Sequence, residues 1–225
     1  MRLSKRLESI LNLLPDAECI ADIGCDHGRL SAELLSRGKA KKVICSDISA
    51  PSLAKAQKLA EERGLSEKME CRLGSGLKVL KIGETDAAVI AGMGGPLIVE
   101  ILKDNEDIAA NISVLVLEPN IYPDRVRRYL TENGWIIEKE DLILEEGKFY
   151  PVLRAVRGKG KPYSETELLA GRWNSRPPRD FFSYVAFWRD RYRKIVSGIR
   201  AEGSRDEGAE RLLELWEKLA GQWNG

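Results

Sequence analysis

Two kinds of apolar pattern alternate along the first two thirds of the chain. Short continuous apolar runs predict buried strands, and apolar residues spaced three and four apart predict helices. Leu3, Leu7, Ile10, Leu11 and Leu14 share one helical face, with Ser4 in the N-cap position and Pro15 as the stop. Strands are predicted at residues 20–23, 42–46, 69–73, 86–91 and 113–117. Helices fall between them, at about 29–36, 50–63, 97–103 and 124–133, with Gly64 and Gly134 just past two of their ends. Residues 135–144 and 149–156 read as two strands joined by Glu145-Glu146-Gly147-Lys148, a hairpin turn. Strands that alternate with helices predict an α/β fold built on a parallel sheet.

The pattern changes after Gly158. Lys159-Gly160-Lys161-Pro162 reads as a linker and Arg176-Pro177-Pro178 as a break, with a short helix at 165–173 between them. Phe181, Val185, Trp188, Tyr192, Ile195 and Ile199 then repeat at heptad-like spacing. Leu212, Trp216, Leu219 and Trp223 resume it after a polar loop near Glu202-Gly203-Ser204. This predicts a small α-helical, coiled-coil-like hairpin. Two domains are expected, 1–158 and 159–225.

The 225 residues are 43% hydrophobic and 32% charged, enough for one core and an appendage. No apolar run has the length of a transmembrane helix, and the start of the chain has no signal-peptide pattern. Cys19, Cys25, Cys45 and Cys71 form no C-x-x-C pair, and the single His completes no zinc set. They read as buried thiols of a reducing cytoplasm, and Cys25 and Cys45 could lie close together. Neither a metal nor a membrane is expected. Formal net charge is +1, but residues 157–200 hold eleven Lys or Arg against four Asp or Glu. That surplus of seven positive charges suits an anionic partner.

The densest candidate chemistry lies at Ala21-Asp22-Ile23-Gly24-Cys25-Asp26-His27-Gly28. A strand, a tight turn and a helix in that order open nucleotide-binding α/β units. A dinucleotide loop needs G-x-G-x-x-G, so that backbone can approach a pyrophosphate. Here the glycines are four apart, and Asp22 and Asp26 stand in the loop. Two carboxylates repel a pyrophosphate and suit a ligand with an amine or sulfonium cation, such as S-adenosyl-L-methionine (AdoMet). A degenerate NAD loop and a purely structural loop are the alternatives. Asp47, at the end of the second strand, lies where such sites keep an acid for ribose hydroxyls; it could instead cap the next helix. Gly74-Ser75-Gly76 is either a place for close approach of a base or a plain turn. Gly92-Met93-Gly94-Gly95-Pro96 ends the fourth strand and leaves an open floor, with Met93 either beside a ligand or filling core. Five strand–helix units closed by a hairpin are the pattern of a Rossmann-like class I methyltransferase domain, a seven-stranded sheet with an antiparallel last strand.

Several stretches together resemble a bacterial family, the tRNA methyltransferases that modify N1 of adenine 22. They are Leu3-Ser4-Lys5-Arg6-Leu7, Ala21-Asp22-Ile23-Gly24 with Asp26-His27, Arg72-Leu73-Gly74 with Gly76-Leu77, Ile90-Ala91-Gly92-Met93-Gly94-Gly95, and Pro119-Asn120. Gly134-Trp135 and Glu146-Gly147-Lys148 with Tyr150 also match. Ser75 stands where the family usually has Asp, Glu118 where it usually has Gln, and Gly28-Arg29 replaces Ala-Tyr.

The resemblance implies methyl transfer from AdoMet to an adenine in the D-arm of tRNA. The expected cofactor set is Asp22, Gly24, Asp26, His27, Asp47, Ile48, Gly74, Ser75, Gly76, Ala91, Gly92, Met93 and Gly94. Adenine N1 has a free lone pair at neutral pH, so no general base is obligatory and positioning supplies most of the rate. The product is cationic, so Asp26 and Glu118 are expected to stabilise developing charge, with Asn120 on the amino edge of the base. A paired adenine must be extruded first. Arg189, Arg193, Lys194 and Arg200, interleaved with aromatics, are expected to bind RNA, as are Lys5 and Arg6; a solvated charged face is the alternative. A cytoplasmic monomer is expected. Methylation of another RNA base, a protein or a small molecule, and non-catalytic binding of AdoMet and RNA, are the competing readings.

Overall fold

The structure is a computed structural model and describes residues 3–173 and 177–222. The chain divides into two compact units, Met1–Lys161 and Pro162–Gly225.

In the first unit, helix α1 (Lys5–Leu13) precedes strand β1 (Ala17–Ile23), and Ser4 caps it by accepting from Leu7 N–H. Helices α2 (Arg29–Ser36) and α3 (Ala50–Glu62) flank β2 (Ala40–Asp47). Strand β3 (Met69–Leu73) leads into a 3-10 turn, Gly76–Val79. Strand β4 (Ala87–Gly94), helices α4 (Gly95–Lys103) and α5 (Glu106–Ala110), strand β5 (Val114–Ile121) and helix α6 (Pro123–Glu132) follow. Strands β6 (Trp135–Glu145) and β7 (Lys148–Arg157) form the hairpin, turned by Glu146 and Gly147 with φ of 49° and 74°. Two positive φ values in a two-residue loop match the right-handed twist of the strands.

The strands make one sheet in the order β3-β2-β1-β4-β5-β7-β6. All neighbours are parallel except that β7 runs antiparallel between β5 and β6. This is the expected Rossmann-like methyltransferase sheet. The physical reason is in the strands themselves. Ile20, Val43, Val89 and Val116 face one apolar layer with Ile10, Leu14 and Leu34, while Ala21, Ile44, Ile90 and Leu117 face the other with Ile98, Val126 and Leu130. Both faces are covered, so the central strands are apolar throughout. Arg127 and Glu140, 1% and 3% exposed at their side chains, are joined at 2.9 Å in this unit.

In the second unit, a capping box formed by Ser164 and Glu167 starts helix α7 (Glu165–Ala170). Helices α8 (Phe181–Ala201) and α9 (Glu207–Gln222) pair as the expected hairpin. The stripe differs from the predicted one. Tyr184 and Val196 are buried, whereas Ile195 is 38% exposed. A single heptad register does not hold along α8, because Trp188 and Trp216 stack between the helices at 6.2 Å with Tyr184 edge-on to both. Rings of that size set the contact rather than a uniform knob at each turn. Trp223 and Arg176 lie outside the described residues.

Candidate functional site

The predicted loop after β4 is not a loop. Strand β4 continues to Gly94 and stays paired with β5, through two register shifts. Ala91 pairs with Glu118, Met93 with Pro119 and Gly94 with Ile121. One residue is therefore extra on each strand: Gly92 on β4 and Asn120 on β5. Bulges of this kind release a residue from the ladder and re-aim it. Pro119, which cannot donate to a ladder, was the sequence signal for the second bulge. Gly92 has φ +76°, which favours glycine. Its freed N–H donates to Glu118 Oε2 at 2.8 Å.

Glu118, expected to stabilise charge developing on the acceptor, is buried. Its side chain is fully enclosed and also binds Arg6 Nη1 at 2.8 Å through Oε2, while Oε1 is buried without a partner. Burial pushes its carboxyl pKa up, and Arg6 draws it back. Glu118 therefore holds the bulge at Gly92, and Arg6, expected at a phosphate, neutralises it. Of the basic residues at the start of α1, Arg2 lies outside the described residues and the backbone N–H of Lys5 donates to Glu145 Oε1 at 2.7 Å.

Gly92 and Asn120 line one cleft of about 480 Å³, shared with Leu3, Ser4, Arg6, Leu7, Arg29, Glu145, Glu146 and Tyr150. Helix α1 and the β6–β7 turn supply most of its walls. The sequence reading missed that contribution, although it singled out Glu146-Gly147-Lys148 and Tyr150 as a motif.

The first loop lies at the carboxyl ends of β1 and β2. Gly24 and Cys25 both donate from N–H to Ser46 O, at 2.8 and 2.9 Å. Met93 reaches across from β4; a Cβ on Gly24 would come within 2.2 Å of Met93 Cε. Asp22 is not in the loop but in β1, 5% exposed, accepting from Ser31 Oγ at 2.6 Å. Burial raises its pKa to about 6, against the lowering effect of the Ser31 hydrogen bond. Asp26 has φ 50°, and its N–H donates to Asp47 Oδ2 at 3.0 Å. Asp47 Oδ1 accepts from Ser49 N–H at 2.8 Å. Ser49, not Asp47, caps α3. His27 sits at the surface between Lys55 (3.1 Å) and Asp26 (3.4 Å).

These residues suit AdoMet. A carboxylate offers about four acceptor sites, so Asp47 keeps two for a ribose diol after its two backbone bonds. Ile48 follows the end of β2 and Leu73 is the last residue of the adjacent β3; they are 76% and 61% exposed, large apolar side chains left open at the ligand-binding edge of the sheet. Gly74 donates to Asp47 O at 3.0 Å, and Ser75 precedes the 3-10 turn that begins at Gly76, with no hydrogen bond from its hydroxyl to cap it. Ala91 and Gly94 remain in the β4–β5 ladder.

The cysteines are all free; Cys25 and Cys45 are buried, Cys19 and Cys71 half-buried. Cys45 and Cys71 are register partners with sulfurs 3.1 Å apart. Among the described residues, no cluster of His, Cys, Asp and Glu is placed to hold a metal ion, and no helix is long and apolar enough to cross a membrane.

In the second unit the expected RNA-binding cations are mostly paired. Arg189 meets Asp190 at 2.8 Å, Arg193 meets Glu217 at 2.8 Å, and Arg200 meets Glu210 at 2.7 Å. Lys194 makes no ion pair among the described residues, and Arg191 lies over Trp188 at 5.5 Å. Part of the basic surplus is thus met by Asp190 on α8 itself and by Glu217 and Glu210, which α9 brings alongside.

A methyltransferase-domain family model matches residues 3–153. The chain is 36% identical over 172 residues to the Bacillus subtilis tRNA (adenine(22)-N(1))-methyltransferase, covering 76% of this chain and 72% of that protein. It superposes on a Streptococcus pneumoniae protein solved in complex with S-adenosyl-L-methionine with a TM-score of 0.87 and 28% identity, covering 97% and 100% of the two chains. It matches M. capricolum TrmK in complex with S-adenosyl-homocysteine with a TM-score of 0.87 and 25% identity, covering 98% and 99%. A methyltransferase sheet, an acid-bearing first loop and paired bulges that open a cleft beside it thus coincide with these likenesses, and the chain belongs to the tRNA (adenine(22)-N1)-methyltransferase family.

Proposed function

We propose that this protein transfers the methyl group of AdoMet to N1 of adenine 22 in the D-arm of tRNA. The observation that carries this reading is the pair of bulges. Gly92 and Asn120 leave the ladder on adjacent strands and line one cleft, next to the loop suited to the cofactor. Asp47 would accept from the ribose, Ile48 and Leu73 would flank the adenine of the cofactor, and exposed Asp26 would face its cationic end. Bound AdoMet supplies an electrophilic methyl on a sulfonium sulfur.

The chain's own task is then positional. Asn120 holds the amino edge of the target base. The adenine N1 lone pair forms the new bond as the bond from methyl to sulfur breaks. The positive charge passes to the adenine ring, and no proton moves in that step. Fixed dipoles around the cleft lower the barrier by orientation and electrostatics. The reading carries a cytoplasmic enzyme that works as a monomer without a metal.

Incubation with tRNA and labelled AdoMet, followed by nucleoside analysis, tests it. The expected product is 1-methyladenosine at one D-arm position. A label on another base or atom would overturn the substrate while sparing the fold. Asn120→Ala should lower turnover more than cofactor affinity; equal loss of both would make Asn120 a folding residue.

A further inference from the structure

The cleft holds an aromatic residue that the proposed chemistry has not used. Tyr150 stands on β7, just beyond the Glu146-Gly147 turn, and lines the cleft with Asn120 and Gly92. The guanidinium of Arg6 lies over that ring, 5.4 Å from its centroid. Arg6 is itself anchored to Glu118, so a planar cation is fixed against the ring inside the cleft. Tyr150 has no hydrogen-bond partner for its hydroxyl among the described residues.

From this geometry we infer that Tyr150 forms the wall against which the extruded target adenine stacks, and that its ring stabilises the positive charge the base acquires on methylation. The inference rests on the reading of this chain as an adenine N1 methyltransferase. Three observations carry it. The cleft, at about 480 Å³, lies within the roughly 300–1,000 Å³ typical of small-molecule sites. Its lining sets Glu145 and exposed Glu146 on the turn against Arg6 and Arg29, so the cleft has no surplus of positive charge to draw a phosphate and suits an uncharged base that leaves as a cation. Aromatic faces attract planar cations, and Arg6 marks that attraction at this ring. Adenine becomes such a cation as the methyl group arrives, so the attraction grows along the reaction and acts on turnover.

The β6–β7 hairpin is therefore part of the acceptor site as well as the edge of the sheet. That accounts for the motif at the turn: two positive-φ residues reverse the chain tightly enough to set Tyr150 beside α1.

Steady-state methylation of tRNA by the full-length protein tests the inference, with Tyr150→Phe, Tyr150→Trp and Tyr150→Leu. Calorimetry of AdoMet and thermal melts accompany it. Phe and Trp keep a ring and should stay within about threefold of the parent kcat. Leu should lower kcat by about 5- to 150-fold, the range of one base–aromatic stack. AdoMet affinity and melting temperature should be unchanged in all three. A tRNA carrying 2-aminopurine at the acceptor position gives a second readout: its fluorescence should respond to the parent protein and the Phe variant, and less to Leu. Parent-like kcat in the Leu variant would overturn the inference. So would equal loss in Phe and Leu, which would assign the role to the hydroxyl, or a parallel loss of AdoMet binding or melting temperature, which would make Tyr150 structural. If the parent protein itself forms no 1-methyladenosine, the underlying reading fails, and this inference falls with it.

Discussion

Asp22 sits almost wholly inside the first unit, with Ser31 as its donor and its pKa raised to about 6. The folded state then keeps a proton that the unfolded chain releases near its usual value of 3.8. Stability from this group is fully present below about pH 4 and is lost as pH rises through about 6, a swing of roughly 3 kcal/mol. Asp22→Asn keeps an acceptor for Ser31 and cannot ionise. Denaturant titrations of the ligand-free protein from pH 4.5 to 8 should show a flatter profile for the variant, with its largest gain over the parent at pH 8. Asp47 gives a second test at this scale. Asp47→Ala removes a charged acceptor and should weaken AdoMet binding by roughly 1.5–3 kcal/mol. Calorimetry showing unchanged affinity would remove Asp47 from the cofactor site. Gly95 is set by contact: a Cβ there would lie 2.2 Å from Tyr122 O, a backbone atom that cannot swing aside. Gly95→Ala should cost about 1–3 kcal/mol, read as a lowered denaturant midpoint.

At the scale of elements, α1 is bound by directional contacts as well as by its apolar face. Ser9 donates to Asp141 Oδ2 at 2.6 Å, Arg154 donates to Leu13 O at 2.5 Å, and Lys39 donates to Leu14 O at 2.7 Å. These fasten the helix to β6, β7 and the end of α2, so it can serve as a wall of the cleft. Helix α6 and β6 are joined by the enclosed pair of Arg127 and Glu140. Arg127→Met leaves a buried carboxylate and should cost about 3–5 kcal/mol. Adding Glu140→Leu removes that carboxylate, so the double variant should recover most of the loss in a denaturation midpoint. Failure to recover would show that the pair supplies more than mutual compensation.

At the scale of the molecule, the two units are expected to carry separate tasks. The first holds its own core on both faces of the sheet and the whole candidate site, so a protein ending at Lys161 should fold and bind AdoMet almost normally. The second should carry much of the tRNA affinity, because a folded RNA offers phosphates far from the cleft. The pairing of Arg189, Arg193 and Arg200 with acids refines that expectation. RNA phosphates must compete with Asp190, Glu217 and Glu210, so Lys194 and Arg191 are the more available cations. Filter binding at several salt concentrations should show lower affinity and a shallower salt slope for the truncated protein. Reversing Arg189, Arg193 and Lys194 in the full chain should act in the same direction. If the truncated protein methylates tRNA efficiently, the helical unit is a packing element and its basic face is only solvated surface.

The sequence by itself determined the order of the strands and main helices, the methyltransferase sheet and the position of the first loop, though not the short helix at Glu106–Ala110 or the place of Asp22 in β1. Those depend on apolar period, on glycine, and on acids local to a strand end. Residues 29–36 were legible as a helix and 69–73 as a strand because nothing distant opposed their local preference. Tertiary structure decided what depends on partners far along the chain. The glycine-rich stretch after β4 reads locally as a turn, yet it remains strand because β5 supplies a ladder with a matching bulge at Asn120. Glu118 reads locally as a free carboxylate, yet Arg6, 112 residues away, turns it into a buried support for Gly92. The charge surplus of α8 reads as an open basic face, yet α9 brings its own acids beside it. In each case the side chain's chemistry is written in the sequence, but its role is set by the partner that folding places within about 3 Å, at the length scale of a hydrogen bond.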